Sequence, residues 1–522
     1  MTLYDWKQKL EYLNRVSMFL KSKPYFSVIL VTLITSAIYS ISFLNGHNWG
    51  GDFAHYILQA KALVDGNVNE VIQLCIYRSE NSSIIFAPTL VAWGYPLLLA
   101  VVYYLVGFNI LAFKMVTSLF FFMSFFIVYL LFREKVKDGH VLFLVMLVAF
   151  NPYFFEFKEN VLTEFVFFFF GLLTIYIIQH VIIEKKLLLQ KYVDYVILLV
   201  FLFFSYNIRA QGVLLLPTLA LCYCIANKDV FYNRNLLSMI KRKDIYFFSP
   251  IIVLSALVLI LVIHKIPTTN TEYFINGSLI ETLMAVPFLS NMFMYFKVWS
   301  WFFSPPSSLS MLVYGMTLPF VIAGVLNNYK KDYLYILYAS ITLITLSSIH
   351  RPVFRYIITL FPFYMYFFLV GISRIPTDSF IPRNLNPFNW KLANIACIIL
   401  ILYSIIGMAL VYDDLKHLEI SDTYGPYSAS SVEMFAYIKN NTSEEDVIVF
   451  WKPRVMTLYG DRRSILILNL DEFLESDARF VVYDKTELHE YNQLMGATIK
   501  DQDNHFKLVY ENDIFEIFEI NR

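Results

Sequence analysis

Residues 159–170 read Glu159-Asn160-Val161-Leu162-Thr163-Glu164-Phe165-Val166-Phe167-Phe168-Phe169-Phe170, an acidic cluster at the mouth of an apolar run that continues to residue 183. A second cluster, Gly51-Asp52-Phe53-Ala54-His55-Tyr56, follows the apolar run Tyr25–Leu44. Runs of ~20 apolar residues suffice to cross ~30 Å of hydrocarbon. A carboxylate at the edge of such a run is costly and calls for a functional reason. Comparable runs recur as far as residue 411, which reads as a polytopic α-helical membrane protein.

Composition agrees. Of 522 residues, 58% are hydrophobic, 18% aromatic and only 16% charged, with 50 Phe and 37 Tyr. A soluble chain of this make-up would lack the polar surface to cover its core. The run Tyr25–Leu44 is long and has no small-residue cleavage site, so it is expected to stay as an anchor. Cys75, Cys222, Cys224 and Cys397 are scattered, and neither a zinc site nor a disulfide framework is expected.

Charge sets the topology. From residue 412 onward, 22 Asp and Glu face 11 Lys and Arg, a net of −11, so the rest of this neutral chain carries +11. Most of those cations lie in short loops: Lys7 to Lys23, Arg133 to Lys137, Lys185 to Lys191, Lys228 to Lys243, Lys330-Lys331 and Arg374 to Lys391. Placing all six in the cytoplasm satisfies the positive-inside rule. That works only if residues 84–106, interrupted by Pro88, Gly94 and Pro96, form a juxtamembrane or re-entrant element; an ordinary kinked span is the alternative. About eleven spans result, near 24–44, 109–132, 139–157, 164–183, 192–208, 210–227, 245–264, 309–327, 333–349, 353–371 and 391–411. The N-terminus is then cytoplasmic. The long loops 45–108 and 265–308, the 159–164 turn, Arg209 and the His350-Arg351 to Arg355 turn all lie outside.

Residues 412–522 read as a soluble extracytoplasmic α/β domain. A helix is expected near Ser431–Asn440, and short β-rich runs lie at Val447–Trp451, Ile465–Leu468 and Phe480–Tyr483. Lys452-Pro453-Arg454 reads as a surface turn, with contact to an anionic ligand as the alternative. The acidic charge of this tail argues against anionic polymers, nucleic acid included, as partners.

These residues resemble the GT-C glycosyltransferases, in particular the bacterial branch related to protein O-mannosyltransferases and the lipid A aminoarabinose transferase. The resemblance covers roughly residues 20–371. It rests on Asp52 and Tyr56 as Asp-x-x-x-Tyr in the first outer loop, on Asn151-Pro152 leading to Leu162-Thr163-Glu164 before a Phe-rich span, and on Arg355-Tyr356-Ile357 through Pro362. Two departures stand out. Phe53 follows Asp52 where many relatives have Glu, and Phe86-Ala87-Pro88 stands where a Lys-Pro-Pro is found.

The resemblance implies sugar transfer, usually with inversion, from a polyprenyl-phosphate donor to a glycan, lipid or protein acceptor hydroxyl. Asp52 would be the general base; capping a helix over Phe53–Val64 is its structural alternative. Glu164 would be the second catalytic carboxylate, either positioning the acceptor or, with Asp52, holding a divalent metal such as Mg or Mn; otherwise it is an interfacial residue at a helix N-terminus. Arg355, Arg351 and Arg209 suit a phosphate, or snorkel to lipid head groups. Tyr56, Tyr356, His55, His350 and Glu159 complete the candidate substrate-binding set, with local hydrogen bonding the alternative for both histidines. Lys114 is expected to snorkel to the outer surface. The aromatic stretch Phe293–Phe303 is either a wall of the lipid-carrier groove or a belt anchor. A polysaccharide polymerase or ligase, without an essential Asp52, and a lipid or glycan transporter are the competing functions. The Phe-, Ile-, Tyr- and Asn-rich composition suits an AT-rich bacterial genome, and hence an inner (plasma) membrane protein.

Overall fold

Among the described residues, five apolar helices are each long enough to cross a membrane: Ile110–Phe132, Glu164–Ile183, Ser308–Asn328, Phe354–Ile372 and Leu392–Glu419. The structure is a computed structural model and describes residues 24–84, 91–227, 288–303, 308–348, 353–375, 392–420, 425–501 and 503–521. The expected span 245–264, the candidates His350 and Arg351, Phe86-Ala87-Pro88, and residues 265–287 and 304–307 of the second long loop lie outside the described residues.

The helical part runs α1 (Pro24–Ile41), α2 (Gly51–Asp65), α3 (Val68–Glu80), α4 (Gly94–Val106), α5 (Ile110–Phe132), α6 (Asp138–Ala149), α7 (Pro152–Phe157), α8 (Glu164–Ile177, continued by a π turn to Ile183), α9 (Lys191–Ile208) and α10 (Leu215–Ala226). It resumes with α11 (Phe288–Val298), α12 (Ser308–Asn328), α13 (Tyr333–Ser347), α14 (Phe361–Ile372, entered by a 3-10 turn from Phe354) and α15 (Leu392–Ile420). Six shorter apolar helices accompany the five long ones. Among the described residues, an apolar helix lies within each expected span, but α6, α10 and α13, like α4, are too short for length alone to show a crossing. Helix α4, 13 residues long, rises only about 20 Å and falls short of the hydrocarbon thickness.

Helix boundaries follow local chemistry. Asn151 caps α7, accepting from the amides of Tyr153 (3.0 Å) and Phe154 (3.3 Å), with Pro152 at the first helical position. Asn109 caps α5 in the same way. Packing between helices relies on aromatics and on glycine. Phe121 of α5 stacks on Phe165 of α8 with ring centroids 4.4 Å apart. Helices α12 and α14 cross at Gly324 and Gly371. A Cβ at Gly324 would lie 2.0 Å from Phe367 O, and one at Gly371 1.9 Å from Phe320 O, so the two backbones touch where only glycine fits.

The second long loop contributes α11 and a 3-10 turn, Trp299–Phe303. Trp299, Phe302 and Phe303 are core residues, whereas Phe293 and Phe296 are exposed. An open groove lies between this segment and α12, lined by Lys297, Ser300, Trp301, Met311, Leu312 and Met316.

The tail forms α16 (Ala429–Asn441), β1 (Val447–Val449), α17 (Pro453–Gly460), β2 (Arg463–Ile465), α18 (Leu470–Glu475), β3 (Ala478–Asp484), α19 (Glu490–Asp501), β4 (Phe506–Glu511) and β5 (Phe515–Ile520). The sheet order is β2-β1-β3-β5-β4, with β2, β1 and β3 parallel and β3, β5 and β4 antiparallel. The runs Val447–Trp451 and Phe480–Tyr483 hold β1 and β3, whereas Ile465–Leu468 shares only Ile465 with β2, and the hairpin β4–β5 adds two further strands.

This domain is packed against the first loop. Trp49 inserts among Phe435, Phe450, Trp451 and Phe515. Arg78 of α3, 1% exposed, donates to Ser464 O (3.2 Å) and Thr457 Oγ1 (2.9 Å). Ser83 N donates to Leu466 O at 2.8 Å, and Leu468 N donates back to Ser83 Oγ at 2.8 Å. The edge strand β2 and the segment after it are thus met by the first loop rather than left open.

Candidate functional site

Two helices begin at one place with a carboxylate in the first turn: Asp52 in α2 and Glu164 in α8. A helix N-terminus favours negative charge. Asp52 is not the N-cap of its helix; Gly50 occupies that position.

Three arginines converge on the pair. Arg355, in the 3-10 turn before α14, bridges them, with Nη2 2.6 Å from Asp52 Oδ2 and Nε 3.2 Å from Glu164 Oε1. Arg209 breaks α9 by adopting an extended conformation (φ −153°, ψ 135°), and its Nη1 reaches Glu164 Oε1 at 2.8 Å and Thr163 Oγ1 at 2.6 Å. Arg454, in the first turn of α17, places Nη1 3.3 Å from Asp52 Oδ1. The Tyr356 ring lies under the guanidinium groups of Arg209 (4.6 Å) and Arg355 (5.7 Å), a favourable cation–π contact. Tyr56, one helical turn after Asp52, packs edge-on against Tyr95 at 5.0 Å.

The electrostatics follow from this arrangement. Burial works to raise the pKa of Asp52, but Arg355 and Arg454 outweigh it and hold the carboxyl below its ordinary value. Burial, reinforced by Asp52 and Glu164, pushes the Tyr56 hydroxyl well up, so it stays a neutral donor. The Glu164 side chain is 3% exposed and that of Asp52 is 38%, so the cluster opens to its surroundings on the Asp52 side.

Asp52, Tyr56, Glu164, Arg209, Arg355 and Tyr356 are therefore brought together. Glu159 is not. It is buried between Lys114, whose Nζ is 2.6 Å from Oε2, and Lys158 on Oε1, and it also accepts from Leu44 N at 3.1 Å. The expectation for Lys114 is overturned: its side chain is fully covered and points inward to Glu159 and Leu44 O instead of snorkelling. His55 is buried with Nε2 3.7 Å from Cys75 Sγ, and it does not join the cluster.

Arg454 joins the cluster, where the sequence favoured a surface turn over a contact with an anionic ligand. Lys452-Pro453-Arg454 is not a surface turn but the start of α17, and the Arg454 side chain is 8% exposed. The signal was there: proline favours the first position of a helix, and Val455, Met456 and Tyr459 follow at helical spacing.

The residues do not fit a divalent metal. Among the described residues no three His, Cys, Asp or Glu side chains converge. Asp52 and Glu164 are each engaged by two arginines, so a cation between them would have to displace guanidinium groups.

No protein-family profile matches the chain, and no curated protein matches it in sequence. Its fold, however, is similar to that of solved membrane-enzyme structures. Two solved structures illustrate it. ArnT from Cupriavidus metallidurans bound to undecaprenyl phosphate has a TM-score of 0.58 at 11% identity, over 94% of this chain and 97% of that one. The archaeal oligosaccharyltransferase AglB from Archaeoglobus fulgidus, in complex with an inhibitory peptide and a dolichol-phosphate, has a TM-score of 0.57 at 10% identity, over 93% of this chain and 73% of that one. The Archaeoglobus enzyme has also been solved with Zn and sulfate, with a TM-score of 0.52 to this chain.

Proposed function

We propose that this protein is an integral membrane glycosyltransferase that moves a sugar from a polyprenyl-phosphate donor to an acceptor hydroxyl on the extracytoplasmic face. The observation that carries the reading is Arg355, one guanidinium bridging two carboxylates at two helix N-termini. Asp52 is the general base. The acceptor oxygen attacks the anomeric carbon, its proton passes to Asp52, and the bond to the phosphate oxygen breaks with its electron pair going to the phosphate. A single displacement of this kind inverts the anomeric centre. Arg355 and Arg209 meet the charge that grows on the phosphate, which bidentate guanidinium groups suit. Glu164 positions those arginines, and Tyr56 and Tyr356 wall the sugar. The groove at Lys297, Trp301 and Met316 suits a carrier chain, being apolar with one cation at its rim. No step needs a metal, since arginine supplies the positive charge.

The topology that goes with this reading has eleven spans, a cytoplasmic N-terminus and residues 412–522 outside. The six basic loops and the acidic tail support it. The test is sugar transfer by the purified protein from a panel of polyprenyl-phosphate sugars, comparing wild type with Asp52→Asn. Transfer by wild type alone is expected. Equal transfer by both removes Asp52 as the base and favours a polymerase-like mechanism.

A further inference from the structure

The two oxygens of Asp52 are held by different parts of the chain. Oδ2 belongs to Arg355 at 2.6 Å, and Oδ1 belongs to Arg454 at the longer distance of 3.3 Å. A carboxylate oxygen engaged by a guanidinium is a poor proton acceptor, so one of these contacts must open before Asp52 can act. The longer one is the weaker.

Charge counting indicates what opens it. Three arginines contact two carboxylates, and Lys452 acts electrostatically on Asp52 as well, leaving positive charge in excess inside a largely covered site. A sugar phosphodiester brings negative charge to offset that excess. As the glycosidic bond breaks, the departing phosphate gains a second charge, which needs a donor close by.

Resting on the transferase reading, we propose that Arg454 is a donor-phosphate ligand supplied by the C-terminal domain. It holds Asp52 Oδ1 in the empty enzyme and exchanges it for the donor's phosphate, which frees Oδ1 to take the acceptor proton. The bonds balance as in the single displacement above: the acceptor proton ends on Asp52 and the leaving electron pair on the phosphate now held by Arg454. The C-terminal domain is thereby a component of the catalytic centre, and donor must bind before the acceptor can be activated.

Arg454 is placed for this with little freedom to lose. Its helix packs on α2, Thr457 one turn later receives the buried Arg78, and Ser82 and Ser83 hydrogen-bond the segment after β2. A pre-positioned guanidinium gives up less entropy on binding than a surface side chain.

The experiment measures binding of a polyprenyl phosphate, against the phosphate-free polyprenol of the same length, by the full-length wild-type protein, R454Q and R454K. The pH dependence of kcat/KM for sugar transfer is measured alongside. Wild type is expected to prefer the phosphate. R454Q is expected to lose about tenfold or more of that preference, with R454K between, as replacing one charge-assisted bidentate donor predicts. The acid limb of kcat/KM should also move to higher pH in R454Q, because Arg454 helps to hold the Asp52 pKa down, while the lost preference for phosphate is the change that a purely structural role would not cause. If R454Q prefers the phosphate as wild type does and its acid limb stays in place, the proposal is overturned while the transferase reading stands. If wild type itself fails to distinguish phosphate from alcohol, the transferase reading falls and takes the proposal with it. Should R454Q melt too early to assay, R454K decides. About tenfold lower kcat at a near-native melting temperature supports the role, and native kcat and KM overturn it.

Discussion

Arg355 Nη2 lies 2.6 Å from Asp52 Oδ2 across 303 residues of sequence, and the same guanidinium reaches Glu164 through Nε. A planar, forked cation makes both contacts at once, which a lysine ammonium on its flexible stem cannot do in this geometry.

Arg355→Lys is therefore expected to lower kcat by about 100-fold or more, as loss of a donor aimed at developing charge does. KM for the donor should rise as well. Steady-state transfer assays check this, and a variant within about threefold of wild type would remove Arg355 from the phosphate site.

With Asp52 as the proposed base, the acid limb of kcat/KM is expected to report Asp52 in the free enzyme. Because Arg355 and Arg454 hold its pKa below the ordinary value, Asp52 stays ionised, and activity persists, as pH falls through about 4; the loss comes only below that. A limb near neutral pH would point to a different base.

Two buried histidines make stability pH-dependent. His47 donates from Nδ1 to Asn48 O, while Nε2 accepts from Val161 N at 3.1 Å, which requires the neutral ring. Burial pushes its pKa down to about 3, and burial likewise lowers that of His55. The unfolded chain binds these protons near pH 6.5 and the folded protein does not. Stability is thus fully present above about 6.5 and falls by up to about 1.4 kcal/mol per unit per histidine as pH drops below it. Thermal unfolding of the solubilised protein between pH 7.5 and 5 should show the decline. A flat profile would mean these rings are not held neutral.

Glu159→Gln leaves Lys114 and Lys158 covered by protein without their carboxylate. Breaking a buried ion pair on one side costs about 3–5 kcal/mol. A large drop in melting temperature is expected, whereas Asp52→Asn, at a partly exposed site, should melt close to wild type. Melting curves of the two variants side by side test the contrast.

Gly371→Ala forces a methyl group into the backbone of Phe320 at the α12–α14 crossing. Overpacking of this kind costs about 1–3 kcal/mol or more, so lower yield and melting temperature are expected. Gly107→Ala meets open space, but φ 70° with ψ −158° is a conformation essentially reserved to glycine, so backbone strain alone should cost about 1–3 kcal/mol.

The sequence alone determined what is encoded within a turn or a single span. Apolar length marked the helices, Asn151-Pro152 marked a helix start, and β-rich runs marked two of the five strands and the end of a third. It also marked Asp52, Glu164, Arg209 and Arg355, because a charge at the edge of hydrocarbon is costly enough to be conspicuous. Only tertiary structure decided which charges meet. Lys114 lies in α5 like a residue free to snorkel, yet it is committed to Glu159, 45 residues away. Arg454 belongs to a stretch that looks like soluble surface, yet it reaches Asp52 across 402 residues. Propensity and hydropathy act over a few residues, whereas the partner of a buried ion is chosen by how distant elements pack. The pairing that defines this site became visible only when the first loop, two membrane helices and the C-terminal domain were seen together.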